Sequence, residues 1–196
     1  MGEIMDSFLI LLFLIQIMIA IIGIYIDKIN KKLEKLKEKE KNLENTVSEV
    51  SIIDNVEILN DEKYYYYVLN ALSNAKKEVN MIMFSIYKCK KTEELIKELI
   101  NCRKRGVMVR LILDGEVESN KMINNHLSIE RIPIKLSKNI RIHNKLIIID
   151  NKITILGSHN WTDKALFENK ESSIAIIDEE VSKKEKEYFD ILWSKL

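Results

Sequence analysis

Residues 139–173, NIRIHNKLIIIDNKITILGSHNWTDKALFENKESS, place a histidine between two cations and a run of small polar side chains shortly after it. If Ile140–Asp150 is a strand, Arg141, His143 and Lys145 share one face, because side chains two apart on a strand point the same way. Ile140, Ile142, Leu146 and Ile148 then turn into a core. Positive charge on both sides disfavours the imidazolium, so His143 is expected to be neutral near pH 7. Neutral imidazole is the form able to attack phosphorus. The next strand, Ile153–Leu156, runs into Gly157-Ser158-His159-Asn160, where Gly157 permits a tight exit and Ser158 and Asn160 add neutral donors beside the cations. Donors and cations converging on one point make a pocket for a phosphate and for the charge that develops on it.

The elements that must position these residues follow from periodicity. Tyr64–Ala75 has helical spacing, and its four consecutive tyrosines read as packing and surface. Val79–Tyr87 reads as a strand, Thr92–Arg105 as an amphipathic helix stopped by Gly106, and Val107–Leu113 as a strand buried on both faces. Ser173–Ile177 supplies another strand, and Glu179–Leu196 closes the chain as a helix carrying Phe189 and Trp193. The expected class is α/β, a mixed β-sheet flanked by helices, over residues 51–196.

The spacing His143-x-Lys145-x4-Asp150-x6-Gly157-Ser158-x-Asn160 resembles the signature of the phospholipase D superfamily at every specified position. Met81–Tyr87 and Arg105–Asp114 resemble that family's first two core strands, so the similarity covers about residues 52–196. The resemblance implies a phospholipase D-like fold and a catalytic set of His143, Lys145 and Glu171. His143 would be the nucleophile that forms a phosphohistidine, and Glu171 would orient it through its second ring nitrogen. Lys145, Ser158 and Asn160 would hold the phosphate oxygens. Gly157 and Asp150 would be structural parts of the motif, since alternation turns Asp150 away from the His143 face. No metal and no cofactor is implied. His159, at the variable position, and His126, outside the motif, read as structural or surface residues.

The motif occurs once, whereas a two-step phosphoryl transfer needs a nucleophile and also an acid for the leaving oxygen. Single-motif relatives answer with a twofold homodimer, in which the second chain's histidine is the acid. The N-terminal residues offer a way to bring two chains together. Phe8–Ile26 contains Gln16 as its one strongly polar residue and spans about 28 Å as a helix, close to the hydrocarbon thickness of a bilayer. Residues 1–27 are therefore expected to be a transmembrane anchor. Residues 28–41 carry seven Lys against three Glu behind an acidic N-terminal flank, which places the C-terminal bulk in the cytoplasm. Residues 28–50 read as a charged helical stalk, with Ile29, Leu33, Leu36, Leu43, Val47 and Val50 on a heptad seam that Glu40 interrupts. Two anchored chains would then lie parallel and raise the effective concentration of their catalytic domains.

Composition limits the remaining choices. A net charge of +1 leaves any polyanion binding to a local patch, and two cysteines are too few for a disulfide framework or a four-ligand zinc site. Residues 131–152 supply such a patch: Arg131, Lys135, Lys138, Arg141, Lys145 and Lys152 face a single acid, Asp150. Lys88, Lys90 and Lys91 follow the first core strand. A basic groove around a phosphate pocket suits a backbone-tracking nucleic-acid enzyme. The stalk would also lift the domain on the order of 36 Å from the bilayer, far for a lipid headgroup. A membrane-anchored nuclease is the expected function. A phospholipase D acting on headgroups is the alternative, and a catalytically silent membrane adaptor is a third. The single-motif branches include bacterial endonucleases and mitochondrial cardiolipin hydrolases, and the latter's extra zinc-binding residues have no counterpart here.

Overall fold

The computed structural model describes residues 55–196 and, toward the N-terminus, residues 25–35 with positions 18, 23 and 37. The chain divides into two units, Met1–Glu49 and Val50–Leu196. In the first unit residues 25–35 are helical, with an exposed Asp27–Lys31 ion pair at 2.8 Å. Two residues of the expected heptad seam, Ile29 and Leu33, are solvent-exposed in the single chain. Most of the candidate membrane span and most of the stalk lie outside the described residues. Among the described residues no helix is long and apolar enough to cross a membrane.

The second unit is built on a seven-stranded mixed sheet of order β1-β7-β6-β5-β2-β3-β4. Its strands are β1 Val56–Asn60, β2 Glu78–Met83, β3 Met108–Leu113, β4 Ile134–Leu136, β5 Lys145–Ile149, β6 Ile153–Gly157 and β7 Ser172–Ile177. β2, β3 and β4 are mutually parallel, and every other pairing is antiparallel. Its helices are α1 Lys63–Asn74, α2 Lys90–Lys104, α3 Glu118–Ile129 and α4 Glu179–Lys195, with a single π-helical turn at Lys164–Glu168.

Strand alternation divides the core in two. Val79, Met81 and Met83 of β2, Val109, Leu111 and Leu113 of β3, and Ile147 and Ile149 of β5 face α1, α2 and α3 in the larger cluster. Ile82, Ile112, Leu146 and Ile148 point the opposite way, onto Phe189 of α4. The central strands are therefore covered on both faces, which explains their unbroken apolar runs. Arg110 is the polar exception on the α4 side: its guanidinium lies against the Phe189 and Trp193 rings, 4.8 and 5.5 Å from their centroids, and donates to Asp190 at 2.7 Å.

Several sequence expectations shift at this level. The strand expected over Ile140–Asp150 begins only at Lys145, because its neighbour β2 ends at Met83, opposite Lys145. Beyond that point the backbone takes other partners, and Ile140 is exposed instead of joining the core. β1, β4 and α3 have no counterpart in the sequence reading: β4 is three residues long behind Pro133, and α3 is rich in Asn and Ser, weak helix formers. Gly157 has no left-handed backbone; its role is close approach, since a Cβ there would meet Ser173 Oγ at 2.2 Å and Ser173 Cα at 2.4 Å on β7. Both cysteines are free.

Candidate active site

The C-terminal ends of β1, β2, β3 and β6 and the N-terminal ends of β5 and β7 lie along one edge of the sheet, as the registers require. His143, Lys145, Ser158, Asn160 and Glu171 all belong to that edge. Asp150 does not. It sits at the other end of β5, where its carboxylate accepts the backbone N–H groups of Lys76, Lys77 and Glu78 at 2.8, 2.7 and 3.0 Å. Its separation from His143 thus comes from the length of a strand as well as from alternation.

His143 stands in the loop that leads into β5. Its Nδ1 and Nε2 lie 3.4 and 3.5 Å from Lys145 Nζ, which also donates to the His143 carbonyl at 2.8 Å. The Phe84 ring, just past β2, gathers the group: the His143 ring tilts over it at 4.7 Å, and Arg141 and Lys145 each lie 5.2 Å from its centroid. The three side chains expected to share a strand face are therefore collected by an aromatic ring, from a segment that is mostly loop. Phe84 is legible in the sequence only as a core-strand residue, since nothing in its own type marks it as a platform.

Electrostatics match the residue-level expectation. The Lys145 ammonium foremost, then burial and the Arg141 guanidinium, hold the His143 imidazole below its ordinary 6.5. Burial lowers the Lys145 pKa too, while the Glu171 carboxylate opposes that shift. A neutral ring beside an ammonium can act as a nucleophile toward an anion that the ammonium holds. The sign gives a prediction. Arg141→Gln removes one of the charges that keep the ring neutral, so the acid limb of the kcat/KM profile should move to higher pH. A limb that stays fixed or moves lower would remove Arg141 from this electrostatic role.

Two residue roles change. Glu171 does not hydrogen-bond His143 among the described residues; its carboxylate accepts from the Ser158 hydroxyl and, at 3.0 Å, from Asn169 Nδ2. Ser158 Oγ also accepts the Ser172 N–H at 3.0 Å, so its hydroxyl is committed to Glu171 and to the start of β7 rather than free for a phosphate. Asn160 Oδ1 is buried with no hydrogen-bond partner among the described residues, and as an acceptor it cannot itself bond a phosphate oxygen; only the Nδ2 group could. His159 is fully buried and stacked on Tyr64 at 4.3 Å, with Nε2 donating to the Asp61 carbonyl at 3.0 Å and Nδ1 accepting from Ser173 Oγ at 2.7 Å. It is a core residue. His126 lies on α3.

The basic stretch disperses. Lys152 belongs to the turn at the far end of β5, and Lys135 packs over Trp193 of α4 at 5.2 Å. Lys88 and Lys91 sit 3.9 Å from Glu93 and Glu94, respectively. Arg141 and Lys145 are the basic residues that the Phe84 platform draws to the site.

A buried frame that no sequence pattern announces holds the His143 loop. The Asp114 carboxylate, at the end of β3, accepts Ile142 N–H at 2.8 Å and Glu116 N–H at 2.9 Å. Asn120 of α3 accepts Ile86 N–H at 2.9 Å and donates to the carbonyls of Phe84 and Asp114, each at 2.8 Å. Phe84 N–H in turn donates to the Asn144 carbonyl at 3.0 Å. A cleft of about 280 Å³ opens at the site, lined by His143, Asn144, Lys145, Leu146, Leu156, Gly157 and Glu185. Among the described residues no group of His, Cys, Asp and Glu is placed to hold a metal ion.

Residues 68–193 match the family described as cardiolipin synthase, PLD-like domain, and the chain belongs to the phospholipase D superfamily. A phospholipase D of Rickettsia conorii is 34% identical over 119 residues, 59% of this chain and 57% of the relative. A mitochondrial cardiolipin hydrolase of Canis lupus familiaris is 26% identical over 132 residues, 65% of this chain and 50% of the relative. The chain thus spans about half the length of these relatives. Among solved structures, the phospholipase D family member Nuc from Salmonella typhimurium superimposes with a TM-score of 0.64 at 25% identity, covering 71% of this chain and 93% of that one.

Proposed function

We propose that the protein is a phosphodiesterase of phospholipase D type that works as a homodimer on nucleic acid, with two chains sharing one site. The observation that carries this is the site's incompleteness. It holds one exposed imidazole beside an ammonium, while His159 is spent in the core and His126 lies on α3. In the first step a His143 nitrogen forms a bond to phosphorus as the ester P–O bond breaks. The departing oxygen takes its proton from His143 of the second chain. Water then attacks phosphorus, giving up a proton to that second imidazole, and the P–N bond breaks to release the phosphate monoester. Lys145 and Asn160 hold the non-bridging oxygens.

Nucleic acid is favoured because Arg141 and Lys145 together at the Phe84 platform suit a phosphate backbone. Lipid headgroup hydrolysis is the second reading, favoured by the name of the Rickettsia relative. The intact His, Lys, Asn and Glu set argues against a silent adaptor, whose site would be free to decay. The N-terminal residues would anchor the dimer as a single-pass membrane protein with the catalytic unit in the cytoplasm, the stalk helices side by side. The full chain should cleave single-stranded oligonucleotide in EDTA and leave anionic phospholipid vesicles largely intact. Cleavage that needs added divalent metal, or that is confined to the vesicles, would overturn the reading.

A further inference from the structure

Glu185 is an unusual residue for its place. On α4 it follows Ser182 by three positions and precedes Phe189 by four, and both of those are fully buried against the sheet. Spacing of three and four puts all on one helix face, where an apolar residue is the ordinary choice. Glu185 has no ion pair or hydrogen bond among the described residues. The adjacent Lys186 is held by Asp190 at 2.7 Å, and Asp190 also takes Arg110. The half-buried Glu185 carboxylate instead lines the cleft that opens from His143 and Lys145. Leu146 and Leu156, cross-strand partners on β5 and β6, line the same cleft.

The cleft therefore combines an imidazole and an ammonium, apolar side chains and a carboxylate in its lining. A carboxylate repels a second phosphate and can only accept hydrogen bonds. At about 280 Å³ the cleft falls just below the ~300–1,000 Å³ that takes a drug-sized ligand, a size that suits a single base rather than an extended strand. We infer that this cleft is a nucleobase subsite beside the scissile phosphate, with Leu146 and Leu156 under the flat base and Glu185 accepting from an exocyclic amino group. It selects a flanking adenine, cytosine or guanine over thymine, which carries no such group.

This rests on the nucleic-acid reading and deepens it. The test uses the full chain and dinucleotides in which one neighbour of the single scissile phosphate is dT and the other is dA, dC, dG or dT, in both orders. In one of the two orders the amino-bearing bases should exceed dT by about tenfold in kcat/KM, the scale of one charge-assisted hydrogen bond. Glu185→Ala should level that ratio to within about twofold, and Glu185→Gln, which can also donate to a thymine carbonyl, should shift it toward dT. Dinucleotide cleavage with no base preference, or with a preference that both variants keep, overturns the subsite and leaves the nuclease reading standing. No dinucleotide cleavage, together with hydrolysis of ethanolamine-headgroup vesicles that falls in Glu185→Ala, overturns both and assigns the carboxylate to an ammonium headgroup.

Discussion

His143→Ala should lose about 10⁴-fold or more in kcat, because the residue is the proposed nucleophile and, in the second chain, the proposed acid. His143 is exposed, so truncation leaves the core untouched and the variant should unfold at nearly the same denaturant concentration as wild type. The shared site adds a sharper requirement. In a random equal mixture of wild-type and His143→Ala chains, only about one dimer in four carries both imidazoles, so activity should fall to about a quarter of the all-wild-type value. If each chain works alone, half should remain. A value near one half after full subunit exchange would refute the shared site while leaving His143 as nucleophile. Substrate labelled at phosphorus should leave an acid-labile label on wild type and none on the variant; a label that persists would place the nucleophile elsewhere.

Much of this site is legible in the order of the residues, and the part that is not has a physical explanation. Residue types and spacing pick out His143, Lys145 and Asn160 because chemistry depends on which atoms are present. The fold brings them to one sheet edge, within loops and strand ends a few residues from where alternation places them. The strand boundary escapes the sequence because Ile140 and Ile142 look like strand residues, and nothing local says that β2 stops at Met83. Ser158 reads as a phosphate ligand because its hydroxyl could serve, but a contact with Glu171 thirteen residues away claims it first. Gly157 reads as a turn, although its small size is demanded by Ser173 on a neighbouring strand. Glu185 and Asp114 are silent for the same reason: each acts on the site across a packing interface, and no pattern within its own helix or strand declares the partner. The basic stretch misleads in the opposite direction, since sequence proximity of Lys135, Arg141 and Lys152 does not survive folding around two faces and both ends of a sheet.

Asp114→Ala should be the most damaging change outside the reacting groups. Asp114 is buried, and its two carboxylate oxygens satisfy the N–H groups of Ile142 and Glu116. Truncation strands the buried Ile142 N–H away from water, whereas the exposed Glu116 turns its N–H to solvent, so a loss of about 1–3 kcal/mol in unfolding free energy is expected. The catalytic consequence follows from position. Ile142 is the residue before His143, and its N–H bond fixes where the imidazole begins. With that bond gone, the ring loses its fixed distance to a phosphate held by Lys145, and a misplacement near 1 Å is worth about 10²-fold in rate. Asp114→Asn separates this positioning role from collapse of the fold. The amide keeps one acceptor oxygen, turns its NH₂ group toward the other donor, and removes the negative charge. The protein should stay folded with kcat reduced and KM little changed, since the phosphate ligands are intact. Its acid limb should also move to lower pH, because the Asp114 charge favours the imidazolium and opposes the lowering by Lys145. A folded Asp114→Asn enzyme with wild-type kcat and an unmoved acid limb would reduce Asp114 to a structural residue and leave the His143 loop to be held by Asn120 and Phe84 alone.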